Sequence, residues 1–368
     1  LNCPELDRYY AHQVGLLYDA PSTGRAQAAA AAACRRRLVA RGIDLSAYNT
    51  TENEADFVDL RRALKVRHWN VYGYSYGTDL ALSLMRDHPE GIRSVTIDSV
   101  VPPDIVSLPW TWGSAHEGIT AIFNDCQAHP ACARKYPNLL PKFEQIVRNL
   151  ESHPIVRRVV PPQGGKPVKV VLDGGTIVNM LAASRPKPSD LPRAITELAA
   201  GDPHMFLKDR AAAALVPDVA EQALGMTESF ICREWTPYGS PAAILHAGRI
   251  VFPTLPSSVL INAVQLPFQH QLCDVWHVPP GPFSQRVRVR STIPTLVVSG
   301  EIDAKTGADW GRYAARTLPN STYVRIRAVG HWVIARSPCA QTIFRSFMRT
   351  PLSPTTSCAK MAPGIDFQ

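Results

Sequence analysis

The sequence predicts an α/β fold: a parallel sheet core covered by helices, incomplete on its N-terminal side, with an inserted, mainly helical cap. Three observations carry this. Four brief apolar stretches without period-two alternation, at 68–72, 94–98, 295–300 and 322–326, read as strands buried on both faces, as in a parallel sheet. A helical stretch at 308–317 lies between the last two, and strand–helix–strand alternation winds such a sheet right-handedly. The first strand runs through Gly73-Tyr74-Ser75-Tyr76-Gly77 into a helix at 78–86. Gly-x-Ser-x-Gly between a strand and a helix is a nucleophile elbow, a context the bare pattern lacks.

Residues 1–67 read as helices and loops. Residues 6–17 are mildly amphipathic, and 26–40 form an alanine-rich helix that ends near Gly42. Thr51-Glu52-Asn53-Glu54 has the form of a capping box, opening a helix with Phe57, Leu60 and Leu64 on one face. Nothing there resembles a buried parallel strand. From Val106 to about Arg290 proline is frequent, and Trp110, Trp112, Trp235 and Trp276 fall in this region. Helices are expected at 115–127, 139–152, 175–183 and 189–200, with a small hairpin at 157–172 around Gly164-Gly165. The core is therefore assigned to 1–105 and 290–368, and the cap and substrate region to 106–289. The last helix opens at Ser337-Pro338, an N-cap with proline in the first helical position, and runs to Met348.

Of the 368 residues 45% are apolar and 19% charged, the balance of a globular protein. No apolar run is long enough to span a membrane, and 26–33 lacks the basic start and long apolar centre of a signal peptide. The net charge of +8 comes with short, separated basic runs at 35–37 and 286–290. These read as solvated surface arginines and not as a nucleic-acid-binding face. Eight cysteines, Cys3, Cys34, Cys126, Cys132, Cys232, Cys273, Cys339 and Cys358, include no Cys-x-x-Cys, which speaks against a zinc or thioredoxin-like site. Their even number predicts disulfides and an oxidising compartment, hence a secreted or periplasmic protein. Neighbours along the chain are the simplest pairing among roughly a hundred.

A serine hydroxyl is a weak nucleophile until a base takes its proton, and the base needs a carboxylate to orient it. At an elbow of this kind the chain order is Ser, acid, His, with each residue on a loop at a strand's C-terminal end. Asp303, in Gly300-Glu301-Ile302-Asp303, follows the third strand, and His331, in Val329-Gly330-His331, follows the fourth. Ser75 is thus the expected nucleophile, His331 the base and then acid, and Asp303 the orienting carboxylate. Asp98, also at a strand end, competes for the acid's role, and Glu301 lies two residues from Asp303. The Tyr76 N–H, at the helix start, is the expected oxyanion donor. Gly73 and Gly77 are expected because side chains there would collide with neighbouring backbone. Asp79, in the first helical turn, is expected to offset the helix dipole. Neither a metal nor an organic cofactor is implied.

Tyr48-Asn49-Thr50-Thr51-Glu52, the stretch 69–78, Ile97-Asp98-Ser99-Val100-Val101-Pro102-Pro103, Gly300-Glu301-Ile302-Asp303 and Val329-Gly330-His331 together resemble the tripeptidyl-aminopeptidase-like branch of the proline iminopeptidase family, which are α/β-hydrolases. The resemblance implies an exported serine exopeptidase that releases N-terminal residues or short peptides. It maps the triad onto Ser75, Asp303 and His331, and places a TAP-like C-terminal region at about 229–358. Cys126 and Cys132 resemble a family cysteine pair. The chain departs from the family before the elbow, where it has neither the preceding strands nor a glycine-rich His-Gly-Gly-Pro-Gly-like loop for a second oxyanion donor. Gly164-Gly165 and Gly174-Gly175 come after the nucleophile and do not match that loop. Loss of one such donor typically costs on the order of a hundredfold in turnover. The expectation is an N-terminally shortened hydrolase whose first strand is an exposed apolar edge.

An aminopeptidase needs a carboxylate for the substrate's ammonium group, and Glu117, Glu228 and Glu234 in the cap are the candidates. The expected partner is a peptide or a small amide or ester, with no nucleic acid and no membrane span. The rival readings are an esterase on small acyl esters, which keeps the same triad, and a truncated, catalytically inactive remnant or a binding protein that uses the cap pocket.

Overall fold

The computed structural model describes residues 1–215 and 222–367. Its strands are β1 (Trp69–Tyr74), β2 (Ile92–Asp98), β3 (Ile155–Val159), β4 (Val168–Leu172), β5 (Thr295–Gly300) and β6 (Ser321–Ile326). The four apolar stretches form one sheet in the order β1-β2-β5-β6, with every pairing parallel. β3 and β4 make the antiparallel hairpin expected in the cap, and Gly164 and Gly165 take positive φ at its turn. Alternation along β5 divides its side chains between the two faces of the sheet. Val297 packs with Leu82, Met85, Val95, Ile97 and Leu318, and Leu296 and Val298 pack with Val324, Ile326, Ile343 and Phe347. Both faces are covered, which is why these strands read as unbroken apolar runs.

The first five α-helices in chain order are α1 (Pro4–Gln13), α2 (Pro21–Val39), α3 (Thr50–Ala63), α4 (Tyr76–Asp87) and α5 (Ser107–Ala128). α3 starts earlier than the capping-box pattern implied. Asn49 is its N-cap and accepts from the Glu52 N–H. Its buried side carries Thr50, Glu54 and Val58, whereas Phe57, Leu60 and Leu64 are 41%, 47% and 63% exposed. Among the described residues β1 has a partner on one side only, and Tyr72 on it is 44% exposed. Among the described residues no strand precedes β1.

A further cluster gathers residues between 108 and 264 with Ile302 and Ala304, and in it Trp112, Phe143, Phe206 and Phe252 are fully buried. A fourth cluster joins α1 and α2 to the residues around Leu224, Leu272 and Trp276. Four disulfides, Cys3–Cys34, Cys126–Cys132, Cys232–Cys273 and Cys339–Cys358, pair the cysteines as neighbours along the chain. Cys232–Cys273 ties the π-helical turn Ile231–Trp235 to the helix Gln269–Trp276. Ile231 and Trp235 of the turn line the cavity at Ser75. Among the described residues no helix is long and apolar enough to cross a membrane.

Candidate active site

β1 delivers Ser75 at φ 53°, ψ −125°, a conformation that a non-glycine residue adopts only when its surroundings hold it there. The Ser75 N–H donates to the Asp98 carbonyl at 3.1 Å and the Thr78 N–H to the Ser75 carbonyl at 2.8 Å, closing the turn into α4. Gly73 is required, because a methyl group there would collide with the Gly77 carbonyl. Gly77 itself faces open space. The collision expected at both glycines therefore concerns Gly73 alone, with Gly77 as the backbone it approaches.

The second loop, after β5, turns at Gly300, where a side chain would strike the Val329 carbonyl. That close approach lets the Ile302 N–H donate to the Val329 carbonyl at 3.2 Å and brings Asp303 beside the loop after β6. His331 Nδ1 lies 2.9 Å from Asp303 Oδ2, and Nε2 lies 3.0 Å from Ser75 Oγ. Asp303 is buried and accepts from the Lys305 N–H at 2.9 Å, the Thr306 N–H at 3.0 Å and the Thr306 hydroxyl at 2.8 Å. Burial alone would raise its pKa. The His331 ring and the Thr306 bonds outweigh burial and hold it below the ordinary carboxylate range. Thr306, whose hydroxyl is also 3.2 Å from His331 Nδ1, escaped the sequence reading. Its position three residues after Asp303 is the usual reach of a side chain folding back on a turn.

The competing carboxylates are engaged elsewhere. Asp98 accepts from the Val333 N–H at 3.0 Å, the Ile334 N–H at 2.9 Å and the Tyr72 hydroxyl at 3.1 Å, so it anchors the loop that carries His331. Ser99 Oγ takes the Trp332 N–H at 3.0 Å, and the Tyr74 ring lies against both the His331 and Trp332 rings. Glu301 faces Arg325 and Arg327. Asp98→Asn, which offers two N–H donors one acceptor fewer, is expected to lower stability by about 1–3 kcal/mol. Urea denaturation reads this directly, and an unchanged midpoint and slope would refute the anchoring role.

Asp79 does not serve the helix dipole as an anion. Burial first, and then the Glu234 charge, push its pKa to about 8, leaving it protonated at neutral pH.

A cavity of about 380 Å³ opens at Ser75 and His331. Val101, Met180, Leu224, Ile231, Trp235 and Trp310 give it an apolar wall, and Glu228 is its buried carboxyl. Glu228 Oε2 accepts from Gln269 Nε2 at 2.7 Å. Glu234, named with it from the sequence, does not line this cavity. Its two oxygens take the Thr50 N–H and hydroxyl, each at 2.6 Å. Glu117 is likewise occupied, accepting from the Asp309 N–H at 3.2 Å. Gly174 and Gly175 start a helix against Glu151 and Asp19 and do not line the cavity. Among the described residues no cluster of His, Cys, Asp and Glu could hold a metal ion.

Two family models match the chain: the alpha/beta hydrolase fold over residues 6–152 and TAP-like protein over residues 258–358. The chain is an α/β-hydrolase with a TAP-like C-terminal domain. Solved structures similar to this hydrolase include an N-acyl homoserine lactone degrading enzyme, at 18% identity over 83% of this chain and 76% of that one, TM-score 0.31. A thermophilic esterase from Thermogutta terrifontis matches at 15% over 83% and 74%, TM-score 0.33. An epoxide hydrolase from metagenomes of hot environments matches at 15% over 84% and 76%, TM-score 0.34. No curated protein matches the hydrolase.

Proposed function

We propose that this hydrolase is a serine aminopeptidase that works through an acyl-enzyme. Ser75 Oγ attacks the carbonyl carbon while His331 Nε2 takes its proton. Asp303, accepting from Nδ1–H, holds that tautomer and stabilises the imidazolium that follows. The Tyr76 N–H, which as the first helical residue has no acceptor within its helix, donates to the oxyanion. His331 then passes the proton to the leaving amine. Water, deprotonated by the same imidazole, releases the acid and restores Ser75. In this reading 1–105 and 290–368 carry the triad, and 106–289 walls the substrate. The four disulfides fit an oxidising compartment, and we read the enzyme as secreted or periplasmic.

Glu228 is the observation that supports an aminopeptidase. Burial pushes its pKa up to about 7, opposed by the Gln269 bond. Arg185, Arg210 and Lys305 also line the cavity, but among the described residues Gln269 alone offsets the burial of Glu228, and a substrate's terminal ammonium would supply the missing charge. Aminoacyl-anilides are expected to be cleaved, and their N-acetylated forms at least tenfold less well. Binding needs Glu228 ionised, above about 7, and the amine protonated, below roughly 8. KM for free-amine substrates is therefore lowest between these values, and Glu228→Gln removes both the minimum and the preference. Equal cleavage of acetylated and free substrates by the wild type would sink the aminopeptidase reading. It would favour an esterase, to which the apolar wall of Val101, Met180 and Trp310 is equally suited.

A further inference from the structure

We propose that Glu234 is a positioning residue: acting through Thr50, it fixes the Tyr76 side chain and so aims the Tyr76 N–H at the oxyanion. The inference rests on Ser75 as nucleophile. Thr50 gives both its protons to Glu234, the N–H to Oε1 and the hydroxyl to Oε2, each at 2.6 Å. Its hydroxyl oxygen then has only lone pairs to offer. At 2.9 Å from Tyr76 Oη it can only accept, so the order is Tyr76 O–H to Thr50 O–H to the Glu234 carboxylate. Asn53 Nδ2 donates to Tyr76 Oη at 3.2 Å, and the Tyr76 ring stacks on Phe230 at 3.9 Å between centroids and 17° between planes.

Tyr76 is thereby held at its hydroxyl and across its ring face. These constraints bear on the adjoining peptide plane. The plane that carries the Tyr76 N–H is set by ψ of Ser75 and φ of Tyr76, and Ser75 sits in a strained conformation, φ 53°. Rotation of that plane is the simplest way to relax the strain, and it would turn the oxyanion donor away. A side chain anchored at two places resists the rotation, keeping the donor preorganised. Glu234 is suited to this because it is buried on the π-helical turn Ile231–Trp235. Its own carbonyl takes Arg286 Nη1 at 2.8 Å, and the neighbouring Cys232 is locked to Cys273. The turn also presents Ile231 and Trp235 to the cavity, so one short segment both walls the substrate and braces the elbow.

The test is a kinetic cycle of Glu234→Gln, Tyr76→Phe and the double variant, on whichever ester or anilide the wild type hydrolyses. Thermal melting confirms that each variant is folded. Each single change is expected to lower kcat about tenfold with KM within about twofold, less than the cost of deleting an oxyanion donor outright. Because both act through one chain of bonds, the double variant loses no more than the worse single. Thr50→Val reproduces the loss, and Thr50→Ser, which keeps the hydroxyl, restores kcat. Additive losses, an unchanged kcat, or a rise in KM alone would overturn the proposal, the last by making Glu234 a substrate contact. If Ser75→Ala retains turnover, the nucleophile reading fails. If only that variant is dead while Glu234→Gln is not impaired, this inference fails alone.

Discussion

Replacing Ser75 with alanine is expected to lower turnover by on the order of 10⁴–10⁶-fold, with His331→Ala nearly as damaging and the double variant no worse than the worse single. The non-additivity follows from the geometry. Ser75 Oγ is useful only while His331 Nε2, 3.0 Å away, can take its proton, and the imidazole has no other assigned task. Asp303→Asn is expected to cost about 10⁴-fold. An amide nitrogen at the Oδ2 position would present N–H where the Nδ1–H proton must be accepted, and at the Oδ1 position would lose the bonds from the Lys305 and Thr306 N–H groups. Initial rates at saturating substrate check all three. Multiplying losses for Ser75 and His331 would show that they do not act as one unit.

Melting temperature is expected to fall as pH rises from about 5 to 9, the reverse of ordinary acid denaturation. Burial pushes Glu54 and Asp79 to about 8 and Glu228 to about 7. For carboxyls raised above their unfolded values, the stabilisation is complete below about 4 and is lost as pH climbs through the folded values. The depressed pKa of Asp303 works in the opposite sense, but below the ordinary carboxylate range and so outside this window. A tenfold change in a carboxyl's proton affinity on folding corresponds to about 1.4 kcal/mol, so even a single tenfold step in each of the three groups lowers the melting temperature by on the order of 5–10 °C. Calorimetry at pH 5 and pH 9 measures this, and Asp79→Asn should flatten the dependence. A melting temperature that rises with pH would mean that these carboxyls find cations on folding. Glu228 therefore carries a cost: the ionised form that binds an ammonium is the one that destabilises the fold.

Most of the sheet was legible because strands buried on both faces leave a plain apolar signature. The Thr295–Gly300 strand was placed to the residue and the others within two or three. The contacts of Ser75, His331 and Asp303 were legible for a related reason: chain order and strand-end loops constrain them before any distance is known. What stayed hidden was which of several chemically equal residues faces the cavity. Glu228 and Glu234 lie six residues apart, and the π-helical turn Ile231–Trp235 that carries Glu234 shifts the register by which a regular helix would be read. α3 misled in another way. Phe57, Leu60 and Leu64 lie toward solvent, while Thr50 and Glu54 turn inward, because burial there is set by hydrogen bonds and packing of the elbow and not by apolar area. Thr306 was missed because a threonine in a turn carries no distinctive pattern.

The central claim is that Ser75 is an activated nucleophile, and fluorophosphonate labelling of the purified chain tests it most directly. Intact mass and peptide mapping are expected to find one adduct, on Ser75, that is lost in Ser75→Ala and in His331→Ala. A folded wild-type chain that takes no label, or a Ser75→Ala variant that is still labelled at the same rate, would contradict the account.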